Sequence, residues 1–114
     1  MKKITVPIEK QAFTMFIEQS GIFEKTRAYM WQYLQNWYTD SPSDFIASMR
    51  ADFEMVQKTY HVYDSCVAIA KDVQRELDYI NCWIDIRDAE DDICCSYRAM
   101  YDDDLVCFDD TLEK

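Results

Sequence analysis

LDYINCWIDIRDAEDDICCSYRAMY, residues 77–101, is the stretch on which the fold turns. Leu77, Ile80 and Ile84 recur at three and four residues, the spacing of one face of an α-helix. Cys66, Ile69/Ala70 and Val73 extend that face upstream, which predicts a fourth helix. The phase slips at Asp85. Beyond it Ile86, Ala89/Glu90, Ile93, Tyr97 and Met100/Tyr101 trace a fifth face, rotated from the fourth, as a bend or a change of packing partner produces.

Upstream, breakers are scarce and well placed. Thr5 caps a first helix with Pro7 in its first turn, and Ala12, Met15, Phe16 and Gln19 follow at helical spacing. Gly21 is a natural stop. Ile22, Thr26, Tyr29/Met30, Tyr33/Leu34 and Trp37 predict a second helix. Ser41, Pro42 and Asp44 mark the next N-terminus, and Phe45/Ile46, Met49, Phe53, Val56 and Tyr60 continue it as a third. Residues 59–64 form a tight turn with Asp64 as a cap, or the flanking helices run on as one. The expectation is a single domain, residues 1–114: a compact all-α bundle of four to five helices with short loops. Residues 102–114 read as a short, irregular acidic segment.

With 49% hydrophobic and 15% aromatic residues, the chain is too apolar to stay disordered. Its one glycine cannot build a dinucleotide-binding fingerprint, a P-loop or a nucleophile elbow. No run is long and apolar enough to span a bilayer, and the N-terminus lacks a signal-peptide pattern. Five cysteines in that setting read as free thiols in a reducing compartment, so a cytoplasmic protein is expected.

Chemistry finds few footholds. Cys66, Cys82, Cys94, Cys95 and Cys107 form no C-x-x-C pair, and His61 has no E-x-x-H partner, so no metal is expected. Asp102, Asp104, Asp110 and Glu113 fall on calcium-loop positions, but Cys107 stands where the turn needs glycine. Asp85, Asp88, Asp91 and Asp92 offer one carboxylate-bearing helix for a metal-dependent phosphohydrolase, without a matching second helix. No nucleophile, base and partner group assemble, so neither an enzyme nor a cofactor is expected.

What remains is surface. Acids outnumber bases by 22 to 12, and residues 85–114 hold 11 acids against Arg87, Arg98 and Lys114. Such a surface repels a phosphate backbone and attracts a basic protein. On a fifth helix, Asp85, Asp88, Asp91 and Asp92, then Asp102 and Asp103, lie near one face about 5–6 Å apart. That pitch is of the order of the spacing between phosphates on a nucleic-acid strand. On the second helix Trp31 and Tyr38 form a stripe apart from the core face, a candidate contact for a partner or a second copy.

In size, charge and expected helicity the sequence is similar to the acidic antirestriction and anti-CRISPR proteins of phages and mobile elements. The similarity is of composition and covers no motif. It implies a non-enzymatic inhibitor or regulator that occupies the basic groove of a nucleic-acid-handling protein, such as a nuclease or CRISPR effector. The alternative is a cytoplasmic helical interaction module, homodimeric through its aromatic helix, whose acidity serves solubility.

Overall fold

The computed structural model describes residues 9–114, and from His61 onward they form a sheet rather than helices. Four strands, β1 (His61–Asp72), β2 (Leu77–Arg87), β3 (Ile93–Tyr101) and β4 (Cys107–Glu113), pair antiparallel in the order β1-β2-β3-β4. Four helices precede them: α1 (Lys10–Ser20), α2 (Ile22–Asp40), α3 (Pro42–Met49) and α4 (Phe53–Thr59). This overturns the all-α bundle. The fold is mixed, with a helical layer on one face of an antiparallel meander.

The expected fourth and fifth helices are β1, β2 and β3. Residues four apart are also two apart twice over, so the spacing of Ile80 and Ile84, or of Tyr97 and Tyr101, satisfies both periods. The intervening residues decide between them. Ile80, Cys82, Ile84 and Ile86 line one side of β2, and Cys95, Tyr97, Ala99 and Tyr101 one side of β3; all but the half-buried Ile80 are buried. Asn81, Trp83, Asp85 and Arg87 alternate onto the other side. Isoleucine, tyrosine, tryptophan and cysteine fit this pleated, half-covered surface well. The slip near Asp85 is not a helix bend: the β2–β3 ladder is regular from Ile80–Tyr101 to Ile86–Cys95, through the Asp85–Ser96 pair, and shifts register only between Ile86 and Arg87.

Two other expectations change. The single helix across Phe45 to Tyr60 is two, because Arg50 adopts a left-handed φ of 62° and Asp52 caps α4 through a bond from the Met55 amide. Residues 59–64 hold neither a turn nor a continuous helix, since α4 ends at Thr59 and β1 begins at His61. Residues 102–114 are a turn followed by β4, not an irregular tail. The expected cap at Thr5 and Pro7 lies outside the described residues.

The first two helices follow their punctuation. Gly21 takes φ 63° at the C-cap of α1, a conformation that costs glycine nothing. In α2, Ile22, Thr26, Met30 and Leu34 are buried at four-residue intervals and face β2 and β3. Phe45, Met49 and Val56 from α3 and α4 complete the core, while α1 buries no residue fully.

β1 and β4 are the two open edges, and both are irregular. The β1 register shifts between Asp64 and Cys66, and the β3–β4 register between Met100 and Tyr101. Asp64 and Asp110 occupy helix-facing positions, opposite Ile84 and Ala99 respectively. Asp64 pairs with Arg27 of α2, and Asp110 accepts from the Tyr97 hydroxyl at 2.6 Å. No described helix is long and apolar enough to cross a membrane.

Candidate functional site: the acidic hairpin tips

The carboxylates expected on one helix face are divided between a strand and two turns. Asp85 sits on β2, on the sheet face away from the helices, where it accepts from the Ser96 hydroxyl at 2.7 Å. Asp88 opens the β2–β3 turn, and its Oδ1 accepts the amides of Glu90 at 2.9 Å and Asp92 at 3.0 Å. Asp91 takes φ 67° in that turn, and its carboxylate accepts from the Tyr63 hydroxyl at 3.0 Å. That bond holds the Tyr63 hydroxyl above its ordinary range, with burial and the Asp91 charge adding to it. Arg87 lies at 4.0 Å from the other Asp91 oxygen. Glu90 and Asp92 are exposed, with their carboxylates free of hydrogen bonds among the described residues.

Asp102 repeats the part of Asp88 at the opposite end of the sheet. Its Oδ1 accepts the amides of Asp104 at 2.9 Å and Val106 at 3.0 Å, and Leu105 takes φ 60°. The carboxylates of Asp102, Asp103 and Asp104 stand within 4.8 Å of one another, with Asp103 and Asp104 exposed. The β1–β2 turn follows the same plan. Asp72 accepts from the amides of Gln74 and Arg75, and Glu76 takes φ 52°. All three hairpins therefore open on an aspartate that satisfies turn amides, and each holds a non-glycine residue in the left-handed region. Asp110 and Glu113 stand on β4, so the calcium-loop spacing does not form a loop.

The expected acidic ridge becomes two tips. Asp88, Glu90, Asp91 and Asp92 lie at one end of β3, beside Arg50 and Lys114, which line the adjoining clefts. Asp102, Asp103 and Asp104 lie at the other. A nine-residue strand separates them by roughly 30 Å at ~3.4 Å per residue. The helical pitch proposed from sequence is absent. Trp31 and Tyr38 are on neither tip. Both are half-buried, with Trp31 edge-on to Phe53 at 6.2 Å and Tyr38 stacked on Phe53 at 6.3 Å, so their stripe is partly covered from within the chain by α4.

Glu90 and Asp104 are not among the expected partner contacts, because Glu90 falls with Ala89 on the apolar face of the expected fifth helix and Asp104 on the calcium-loop spacing of the expected irregular segment. The signal for them is the threefold recurrence of an aspartate followed three or four residues on by a left-handed position: Asp72 to Glu76, Asp88 to Asp91, Asp102 to Leu105.

The cysteines stand apart from both tips. Cys82 and Cys95 are buried, and burial pushes their thiols up to about 11 and about 12. Cys94 places its sulfur 3.7 Å from that of Met49, and Cys66 is exposed. No family model, no curated protein and no solved structure matches this chain.

Proposed function

We propose that the protein is a non-enzymatic acidic binding module that occupies the basic groove of a nucleic-acid-handling protein, such as a nuclease or CRISPR effector, and so inhibits or regulates it. The observation that supports this is the placement of the free carboxylates. Glu90 and Asp92 at one tip, and Asp103 and Asp104 at the other, are exposed and bind nothing else in the described chain. The two tips stand roughly 30 Å apart, close to the ~34 Å of one duplex turn, so both reach cations that hold successive turns of a nucleic acid. The likeness to antirestriction and anti-CRISPR proteins is now one of size and charge alone. The alternative module, dimeric through α2, draws less support, because Trp31 and Tyr38 each pack one side against Phe53 of the same chain and are half-buried.

The test separates carboxylates that bind partners from those that hold turns. The variant Glu90→Gln/Asp92→Asn/Asp103→Asn/Asp104→Asn removes four exposed charges and spares Asp88 and Asp102. A partner captured at low salt is loaded with labelled DNA or RNA and challenged with each form. Wild-type protein displaces the nucleic acid; the variant binds at least tenfold more weakly, mainly through slower association. Displacement by the variant equal to wild type across roughly 50–300 mM salt removes the proposal.

A further inference from the structure

A second surface, independent of the tips, lies between α2 and the β4 edge. It is a cavity of about 680 Å³, within the usual range for small-ligand sites. One wall is a ladder of three rings on successive turns of α2: Tyr29, Tyr33 and Trp37. Each ring is backed by a fully buried one. Tyr29 lies 6.3 Å from Tyr101, Tyr33 meets Tyr97 edge-on at 5.7 Å, and Trp37 meets Phe45 at 4.9 Å. The wall is therefore fixed before anything binds.

Three carboxylates converge on the same space: Asp40 at the end of α2, Asp44 on α3 and Asp110 on β4. Among the described residues none of them forms an ion pair. Two are held in position by the aromatic framework. Asp44 accepts from the Trp37 indole at 2.9 Å, and Asp110 accepts from the Tyr97 hydroxyl at 2.6 Å. Among the described residues Lys114 is the one cation in the lining.

Aromatic faces attract cations through their negative quadrupole, and carboxylates at the rim add charge-assisted hydrogen bonds. With three carboxylates against Lys114 the lining keeps an excess of negative charge, which a neutral ligand would leave uncompensated and which would repel an anion. We propose that the α2–β4 cavity is a binding site for an organic cation, the guanidinium or ammonium group of a basic peptide or of a free polyamine. The rings supply the cation-binding wall, and Asp40, Asp44 and Asp110 supply the acceptors.

The test follows the indole N–H resonances of full-length protein during titration with acetyl-hexa-arginine amide and, separately, spermidine. Saturable movement of the Trp37 resonance, with Trp83 on the opposite sheet face still, is expected with at least one of the two. The peptide acting alone identifies a basic chain as the source, and spermidine alone a small amine. Asp40→Asn, an exposed position whose side chain makes no hydrogen bond among the described residues, and Asp110→Asn each weaken binding by at least threefold. The variant lacking charge at Glu90, Asp92, Asp103 and Asp104 binds within twofold of wild type. Linear movement of every indole together, no movement with either probe, or unchanged affinity in both Asp40→Asn and Asp110→Asn overturns the site. Loss of nucleic-acid displacement by the tip variant with no Trp37 response would leave the tip function standing and remove the cavity.

Discussion

The hydroxyl of Tyr101 donates to Oγ1 of Thr26, 2.7 Å away across the boundary between β3 and α2, with both residues fully buried. The direction follows from the threonine's single hydrogen, which goes to the Ile22 carbonyl at 2.7 Å. Thr26 thus turns a spare lone pair toward the sheet and anchors the helical layer at a defined register.

Removing the Thr26 hydroxyl leaves that of Tyr101 buried without a partner, which costs about 1–3 kcal/mol, whereas removing the Tyr101 hydroxyl leaves Thr26 its bond to Ile22 and costs toward the lower end. Tyr101→Phe and Thr26→Val should each lower the urea midpoint accordingly. The double variant should cost clearly less than the sum of the two, because no Tyr101 hydroxyl is then left unpaired. Additive losses in a denaturant cycle would show that the bond contributes nothing beyond the packing of the rings.

The hairpin turns make opposite predictions for neighbouring residues. Asp88→Ala and Asp102→Ala each strip two turn amides of their acceptor and should destabilise by about 1 kcal/mol, whereas the Asn variants retain an acceptor oxygen. Glu76→Gly and Arg50→Gly relieve a left-handed side chain and should stabilise by about 0.5–1 kcal/mol. Thermal melts check both sets, and a neutral Asp88→Ala would show that this turn holds without its cap.

These turns also explain what could be read from the sequence and what could not. Gly21, Ser41 and Pro42 bound their helices through backbone demands that few other residues meet, so α2 and the start of α3 were legible. The sheet was not. Hairpins normally advertise themselves with glycine, and here Glu76, Asp91 and Leu105 take that conformation behind an aspartate, so two of the breakers look like further surface acids and the third like part of an apolar run. The apolar residues of β2 and β3 lie at even spacing, and the multiples of four among them mimic a helix. The acids near Asp88 were visible as a group, but their division between turn-holding and free carboxylates depends on amides that only the hairpin geometry brings within reach. The three rings of the α2–β4 wall were visible as an aromatic excess; their cavity needs β4 beside them.

Alkaline pH should unfold the protein sooner than its acidity alone suggests. Burial pushes Cys82 up to about 11 and Cys95 up to about 12 from an ordinary value of 9.0, and it raises Tyr97 and Tyr101 as well. The folded state then holds protons that the unfolded state releases. Stability is complete below about pH 9 and is lost as pH rises toward 12. The melting temperature should fall steadily above pH 9, and Cys95→Ala should flatten that slope. Iodoacetamide at pH 8 should modify exposed Cys66 first and reach Cys82 and Cys95 only on unfolding, as mass spectrometry of the labelled peptides will show. Equal labelling of all three in folded protein would contradict the placement of β2 and β3.

Asp64 and Asp110 have a consequence beyond their own bonds. An open four-stranded sheet offers a row of unpaired amides along each margin, and another chain can add a strand there and polymerise. Both margins of this sheet turn a carboxylate inward, one held by Arg27 and the other by Tyr97, where an added strand would have to enclose it. Both margins also break register within two residues of it, at the residue after Asp64 and at Phe108. The same residues that give the chain its charge therefore terminate the sheet at four strands, and keep a protein with two free edges from becoming a fibre.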